Sequence, residues 1–529
     1  MKFILHGRVV TMDANSTVID SGAVYVDGNT ITAVAAKTAA PPAGFAAGVP
    51  TLETNGTIYP GLIELHNHLS YDSLQLWNVP KPYTNRGQWQ SDPDYESSVS
   101  APMGEIAKSN DPNLLAAVAR YAETKCLLGG VTTSQGISLK GENLQTCYRS
   151  AMRVVDDPGD PAFHRAATHI PDVAASDWAK FNAELAKATC LLLHLSEGTD
   201  EEALKAFLAL EQNGKWAITP ALAGIHCAAL RASHFTIMAQ HGASVVWSPL
   251  SNLMLYGGTT DISAARAAGL QVALGSDWSP SGSKNLLNEL KVAKVASSVR
   301  GYGLTDQDIV AMVTSIPARI VKWNALVGSL AQGMRADFTV VGSSAADPYS
   351  TLVEARETDL VLVIIDGNAV IGTKNLMGAL GQNGEPIPLG TQTRVVNYGT
   401  GDPRIPTLTF AQAKAAMADA LNRLPTLLED EKAGKGVLKA KLAPGSRPAL
   451  RLALDEEHHG GFALRPELPF HGKPTGPGPA LALAARVPVV LKPLPLDPPA
   501  VADDPHYGAA IQAERNIPAA IKNGLKTYF

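Results

Sequence analysis

The sequence predicts an α/β fold: a (β/α)8 TIM barrel, a small β-sandwich domain built from both flanks of that barrel, and a C-terminal extension. Three patterns predict it. Residues 1–57 and 326–373 read as short strands, rich in β-branched residues and broken by Gly, Asn and Asp turns. Residues 58–325 alternate short apolar strands with longer helical stretches, which argues for a parallel sheet. That middle section also suits eight strand–helix units, which take about 250 residues.

In chain order, GRVVTMD, GAVYVDGNTITAV and PTLETNGTIYPG are the first strands, with Asp27-Gly28 as a hairpin turn. From Thr57 the period changes. TIYPGLIELHNH is a strand that ends in polar residues, and residues 111–128 carry apolar positions at helical spacing up to Gly129-Gly130. GVTTSQGI, ATCLLLHLSEG, WAITPALAGIHC, ASVVWSPLSN and QVALGSDWSP are later strands, with helical segments at 200–212 and 262–268 between them. The third and fourth strands fall within 151–187. Next, GSLAQGMRADFTVVG and TDLVLVIIDGNAVIGT return to short strands and are expected to pair with the N-terminal ones in a single composite β-domain. Residues 374–529 open with an amphipathic helix over 408–428 and turn Pro-rich after Lys435. With no large apolar core of its own, this extension is expected to pack on a neighbouring subunit of a homo-oligomer.

Composition excludes several classes. Hydrophobic residues make up 45% and charged residues 18%, which is globular and not disordered. A net charge of −5 gives no electrostatic reason to bind nucleic acid or an anionic membrane. No apolar run approaches the ~20 residues of a membrane helix, and MKFILHGRVV holds too short an apolar stretch for a secretory signal. The 4 cysteines, Cys126, Cys147, Cys190 and Cys227, form no CxxC pair and suit a reducing compartment. A cytoplasmic protein acting on a small molecule is expected.

The chemistry gathers where apolar strands stop. His66 and His68 end PGLIELHNHLS, and two residues apart on a strand they point the same way. Neutral imidazoles at one barrel mouth can share an ion. His194 ends LLLHLSEG, with Glu197 three residues on; His226 closes ITPALAGIHC; Asp277 ends QVALGSDWSP. Each alone has an ordinary structural reading. Four strands delivering ligand-type residues to one end is the pattern of a barrel active site.

The order HxH, HxxE, His, Asp resembles the amidohydrolase superfamily, and within it the cytosine deaminase and triazine chlorohydrolase branch. VVWSPLSNLMLYGG is similar to the stretch before that branch's final strand, and the likeness covers about residues 1–373. The resemblance implies one divalent metal, zinc first and iron or manganese next, held by His66, His68, His194 and Asp277. It makes Glu197 the proton shuttle, has His226 orient water or polarise substrate, and has Asp277 accept a proton from the attacking water. A second metal would need a carboxylated lysine on the fourth strand, and between residues 150 and 187 only Lys180 and Lys187 occur, both in helix-like sequence. The implied reaction is hydrolysis of a carbon–nitrogen bond, first of all deamination of a small N-heterocyclic or amidine-like substrate. The alternatives are an amide, lactam or carbamate hydrolase with the same site, and an inactive scaffold.

Gly198 and Trp278-Ser279-Pro280 depart from that branch's usual residues and bear on the substrate. Trp77, Ser251, Asn252 and Trp278 are candidate substrate contacts, with Tyr83 and Trp89 in the same long loop as Trp77. His458-His459 reads as a solvated turn, and Cys227 as a small core residue.

Overall fold

The structure is a computed structural model that describes residues 1–45, 48–142, 144–343, 345–437, 449–455 and 489–529. Eight parallel strands run through its middle in chain order. Leu62–Ile63, Val131–Ser134 and Arg153–Val154 form one sheet. Ala166–His169, Cys190–Leu195, Leu222–His226, Ser244–Trp247 and Gln271–Leu274 form the next. The two sheets meet at both ends. Ala166 N–H donates to Val155 O at 2.9 Å, while Asp277 N–H donates to His66 O at 3.0 Å and His68 N–H to Asp277 O at 2.6 Å. The third and fourth strands thus lie at 153–154 and 166–169, within the expected window.

Local chemistry sets these elements. Pro112–Leu128 starts on Asp111, whose carboxylate accepts from Asn113 N–H at 2.8 Å, with Pro at the first helical position. It stops at Gly129-Gly130, where Gly130 turns left-handed at φ +77°. Strand alternation sorts the apolar side chains. Leu192, Ala223, Ile225, Val246 and Ala273 share one core with Trp323, and Leu191, Leu193, Leu222, Val245 and Leu274 join the larger core with the helices. The strand–helix rhythm lapses between the second and third strands, where the chain makes a hairpin, Ser138–Lys140 with Gln145–Cys147, and between the third and fourth, where no helix intervenes.

The flanking strands are hydrogen-bonded into one nine-stranded sheet that folds back on itself: Thr30 on its last strand bridges Arg335, and Val24, Ile31, Phe338 and Ile364 share one core. Its order is Glu385–Leu389, Gln392–Val396, Asn368–Gly372, Leu360–Ile365, Phe338–Val341, Thr51–Pro60, Lys2–Val10, Val18–Asp27, Thr30–Ala36. The seam between the two chain ends is antiparallel, Phe338 opposite Pro60 and Val341 opposite Thr57. Two strands lie beyond residue 373. Pro386 and Pro388 hide the outer one in the sequence, and it occupies the sheet edge, where a strand tolerates proline.

The extension packs on its own chain. Its helix spans Phe410–Asn422, shorter than expected because Pro425 intervenes before Leu427–Lys432. Phe410 stacks on Tyr121 at 5.6 Å, and Met417, Leu421, Ile511 and Ile521 join the core that contains Pro112–Leu128 and Leu286–Arg300. The helices that flank the parallel strands supply the core that the extension lacks on its own. Among the described residues no helix is long and apolar enough to cross a membrane. The four cysteines are free and buried.

Candidate active site

The strand ends bring six polar side chains to one buried centre. His66 Nε2 lies 3.3 Å from His68 Nε2 and 3.2 Å from His194 Nε2, and His68 Nε2 lies 3.2 Å from His194 Nε2. Asp277 Oδ1 is 3.4 Å from both His66 Nε2 and His68 Nε2. His226 Nε2 stands 3.9 Å from Asp277 Oδ2 and 3.7 Å from Glu197 Oε2. The turns that aim these groups are unusual. His226, Cys227, Asp277 and Ser196 all have left-handed backbones, φ 50° to 69°, without being glycine. Simple alternation would send His226 outward with Leu222; the bend at φ 64° redirects it. Such conformations cost about 1–3 kcal/mol each and gather at functional sites.

This donor set suits a divalent cation. Ligand atoms about 2.0–2.1 Å from a tetrahedral centre are about 3.3–3.4 Å apart; the three imidazole nitrogens keep that spacing among themselves, and Asp277 Oδ1 keeps it to His66 and His68. His66 Nδ1 is engaged by Ser248 Oγ at 2.7 Å and His68 Nδ1 by Asp455 Oδ2 at 2.5 Å. That leaves Nε2 of both rings facing the centre. Burial, then the imidazoles of His226 and His68, hold His66 well below its ordinary pKa; burial and the imidazoles of His66, His68 and His226 do the same to His194. Both rings stay neutral, the form a metal binds. Burial pushes the Asp277 carboxyl up, with His226 and His68 pulling against it.

Glu197 is gripped from two sides. Tyr256 Oη donates to its Oε1 at 2.8 Å, and Trp89 Nε1 donates to Tyr256 Oη at 2.8 Å. Arg86 Nη1 lies 3.7 Å from its Oε2, and Arg86 N–H donates to Glu197 O at 3.2 Å. Neither Tyr256 nor Arg86 stands out in the sequence. Tyr256 sits inside LSNLMLYGG, where it reads as one more apolar helix position, and Arg86 belongs to no motif.

Of the remaining candidates, Asn252 Nδ2 sits 3.0 Å from His226 Nδ1, and Ser251 is buried beside Asp277. The Trp278 ring packs 5.5 Å from His68 and 5.2 Å from Tyr71. Trp77 connects to the centre through Tyr95 and Trp278, its N–H donates to Pro280 O at 2.6 Å, and its indole donates to Asp94 Oδ2 at 2.7 Å. His458-His459 lies outside the described residues. The fourth strand, Ala166–His169, carries no lysine; Lys180 is on the helix Trp178–Leu185, and Lys187 pairs with Glu184 at the surface. A small cleft opens beside His68, lined among others by Tyr71, Gln135, Asp156, Thr168 and Asp455.

Fold and site together define a metal-dependent hydrolase of the amidohydrolase type. The Amidohydrolase family model matches residues 57–370, and the chain belongs to that family, whose members hydrolyse carbon–nitrogen bonds with a divalent metal. It is 25% identical over 420 residues to a 5-methylthioadenosine/S-adenosylhomocysteine deaminase of Symbiobacterium thermophilum, across 69% of this chain and 92% of the relative. A zinc-bound adenosine deaminase from Xanthomonas campestris has a similar fold, with TM-score 0.55 and 20% identity over 69% of this chain and 92% of its own. So does a zinc-complexed atrazine chlorohydrolase from Arthrobacter aurescens TC1, with TM-score 0.55 and 17% identity over 72% and 98%.

Proposed function

We propose that the protein is a cytoplasmic, single-zinc hydrolytic deaminase that removes an amino group from a small N-heterocycle. In this reading the eight parallel strands close as a TIM barrel (58–325), beside a β-domain drawn from both flanks. The observation that carries it is the buried cluster in which the Nε2 atoms of His66, His68 and His194 lie 3.2–3.3 Å apart, with Asp277 Oδ1 3.4 Å from two of them. The deaminase names among the relatives support the leaving group. When bound, the ion would lower the pKa of the attacking water to about 7.

The protein's own groups do the rest. Asp277, lifted by burial, is a ready acceptor for the proton of the attacking water. Glu197 lies 3.7 Å from His226, close enough for both to face one substrate atom. It hands a proton to the ring nitrogen or the departing amine as a general acid. Asn252 fixes the His226 ring through Nδ1, leaving Nε2 toward the substrate. Trp278 walls the pocket against His68, with Trp77 behind it and Ser251 beside Asp277.

Elemental analysis followed by an ammonia-detecting panel tests this. About one zinc per chain and ammonia from aminopurine nucleosides or aminotriazines are expected. Amine release from substituted amides without ammonia would move the protein to the amide, lactam or carbamate class. A metal-free chain that stays inert with added Zn²⁺, Fe²⁺ or Mn²⁺ would make it a scaffold.

A further inference from the structure

We propose that Asp455, on the C-terminal extension, is a positioning residue for the site: it holds the His68 ring so that Nε2 faces the metal position. The inference rests on the reading of His68 as a ligand. Asp455 Oδ2 lies 2.5 Å from His68 Nδ1, with the two side chains 19% and 12% exposed. A carboxylate there accepts the Nδ1 proton, selects the tautomer whose Nε2 carries the lone pair, and raises that nitrogen's basicity. His66 has a neutral hydroxyl, Ser248, in the same place. The two imidazoles of the HxH pair are thus tuned differently, and the stronger tuning comes from outside the matched family region of 57–370.

The approach of Asp455 is built and not incidental. Arg451–Leu452 adds an antiparallel strand to Ser138–Lys140, Arg451 opposite Lys140 and Leu452 opposite Leu139. Ala453 N–H continues the ladder to Ser138 O at 2.9 Å. Leu450, Leu452 and Leu454 are buried at 6%, 2% and 4% exposure, which leaves the segment little freedom. Asp455 N–H then donates to Tyr71 Oη at 3.3 Å. Tyr71 packs on Trp278, and Trp278 on His68, so one ring stack ties the segment to the ligand it serves. The hairpin that interrupts the strand–helix rhythm acquires a purpose: it is the docking edge for this strand.

The test measures zinc affinity by chelator competition on the full chain, comparing wild type with Asp455→Ala, Asp455→Asn and His68→Ala. Asp455→Ala is expected to weaken zinc binding about 10–100-fold, the usual effect of losing a ligand's outer partner. Asp455→Asn should recover part of the loss, because its amide oxygen still accepts the Nδ1 proton, and it also serves if the alanine variant does not fold. KM for the substrate found in the panel should stay near wild type. Wild-type zinc affinity in Asp455→Ala, with His68→Ala losing zinc, would overturn this inference alone. A raised KM with unchanged zinc affinity would overturn it too, by making Asp455 a substrate contact. Wild-type zinc affinity in His68→Ala would instead overturn the ligand assignment beneath it.

Discussion

Two buried polar clusters lie close together in this molecule, and they differ in charge balance. One is closed. Lys125 Nζ meets Asp497 Oδ2 at 2.5 Å and Asp72 O at 2.9 Å; Lys284 Nζ meets Asp497 Oδ1 at 2.6 Å, Asp504 Oδ2 at 2.9 Å and Pro498 O at 3.1 Å. Although burial works against it, Asp497 and Asp504 hold Lys284 above its ordinary pKa. Ammonium and carboxylate alternate, and the cluster is complete without any added group. The other is open. Three imidazole nitrogens face one another at 3.2–3.3 Å, with a carboxylate oxygen 3.4 Å from two of them, and electron-rich atoms at that spacing repel. Burial alone therefore marks neither structure nor function. The unmatched charge does: the closed cluster fastens the extension to the barrel, and the open one calls for a cation.

The largest expected effect breaks the open cluster. His66→Ala removes one of four ligands, so both bound metal and turnover should be lost. Elemental analysis showing stoichiometric metal in that variant would refute the ligand set. The same depressed pKa values give a pH expectation. His66 and His194 sit well below 6.5, so they remain neutral, metal-binding ligands when the pH falls to 6. Zinc should survive dialysis at pH 6, and its full release there would show that these rings protonate as ordinary histidines do.

The next effect breaks the closed cluster. Asp497→Ala takes the carboxylate from Lys125 and leaves Lys284 only Asp504, and removing one partner of a buried pair costs about 3–5 kcal/mol. Urea unfolding should show that loss, while the folded fraction keeps its metal. A loss below about 1 kcal/mol would mean that the clamp is not what fastens the extension. Loss of metal from the folded fraction would mean that the clusters are not independent.

The two clusters are also unequally legible in the sequence. His66, His68, His194, His226, Glu197 and Asp277 each follow an apolar strand, and parallel strands in chain order carry such positions to one end whatever the loops do. The closed cluster draws on Lys125 within a helix and Asp497 within a Pro-rich stretch, and no local period connects residues 372 positions apart. Asp455 escapes for the same reason: its position depends on a two-residue strand pairing. The nine-stranded sheet is half legible. Its seam follows from β-branched runs at both flanks, but prolines at 386 and 388 conceal its edge.

A smaller effect tests the proton path of the open cluster. Glu197→Gln keeps the side chain's shape and removes its proton, so turnover should fall about 10²-fold or more with metal retained. Near-normal turnover would take Glu197 out of the role.

Tyr256→Phe should have the smallest effect, and it asks how far the open cluster extends. The Tyr256 hydroxyl donates to Glu197 Oε1 at 2.8 Å while receiving a bond from Trp89 Nε1. Its ring is fully packed, so the substitution removes one oxygen and little volume. A hydrogen bond to a charged group is worth about 1.5–3 kcal/mol, and each 1.36 kcal/mol of barrier is about tenfold in rate. Not all of that bond is lost in the transition state, because Arg86 still lies 3.7 Å from Oε2. A fall in kcat of about tenfold is expected, with zinc content unchanged. An unchanged kcat would show that Tyr256 supports the Trp89 wall and does not position Glu197.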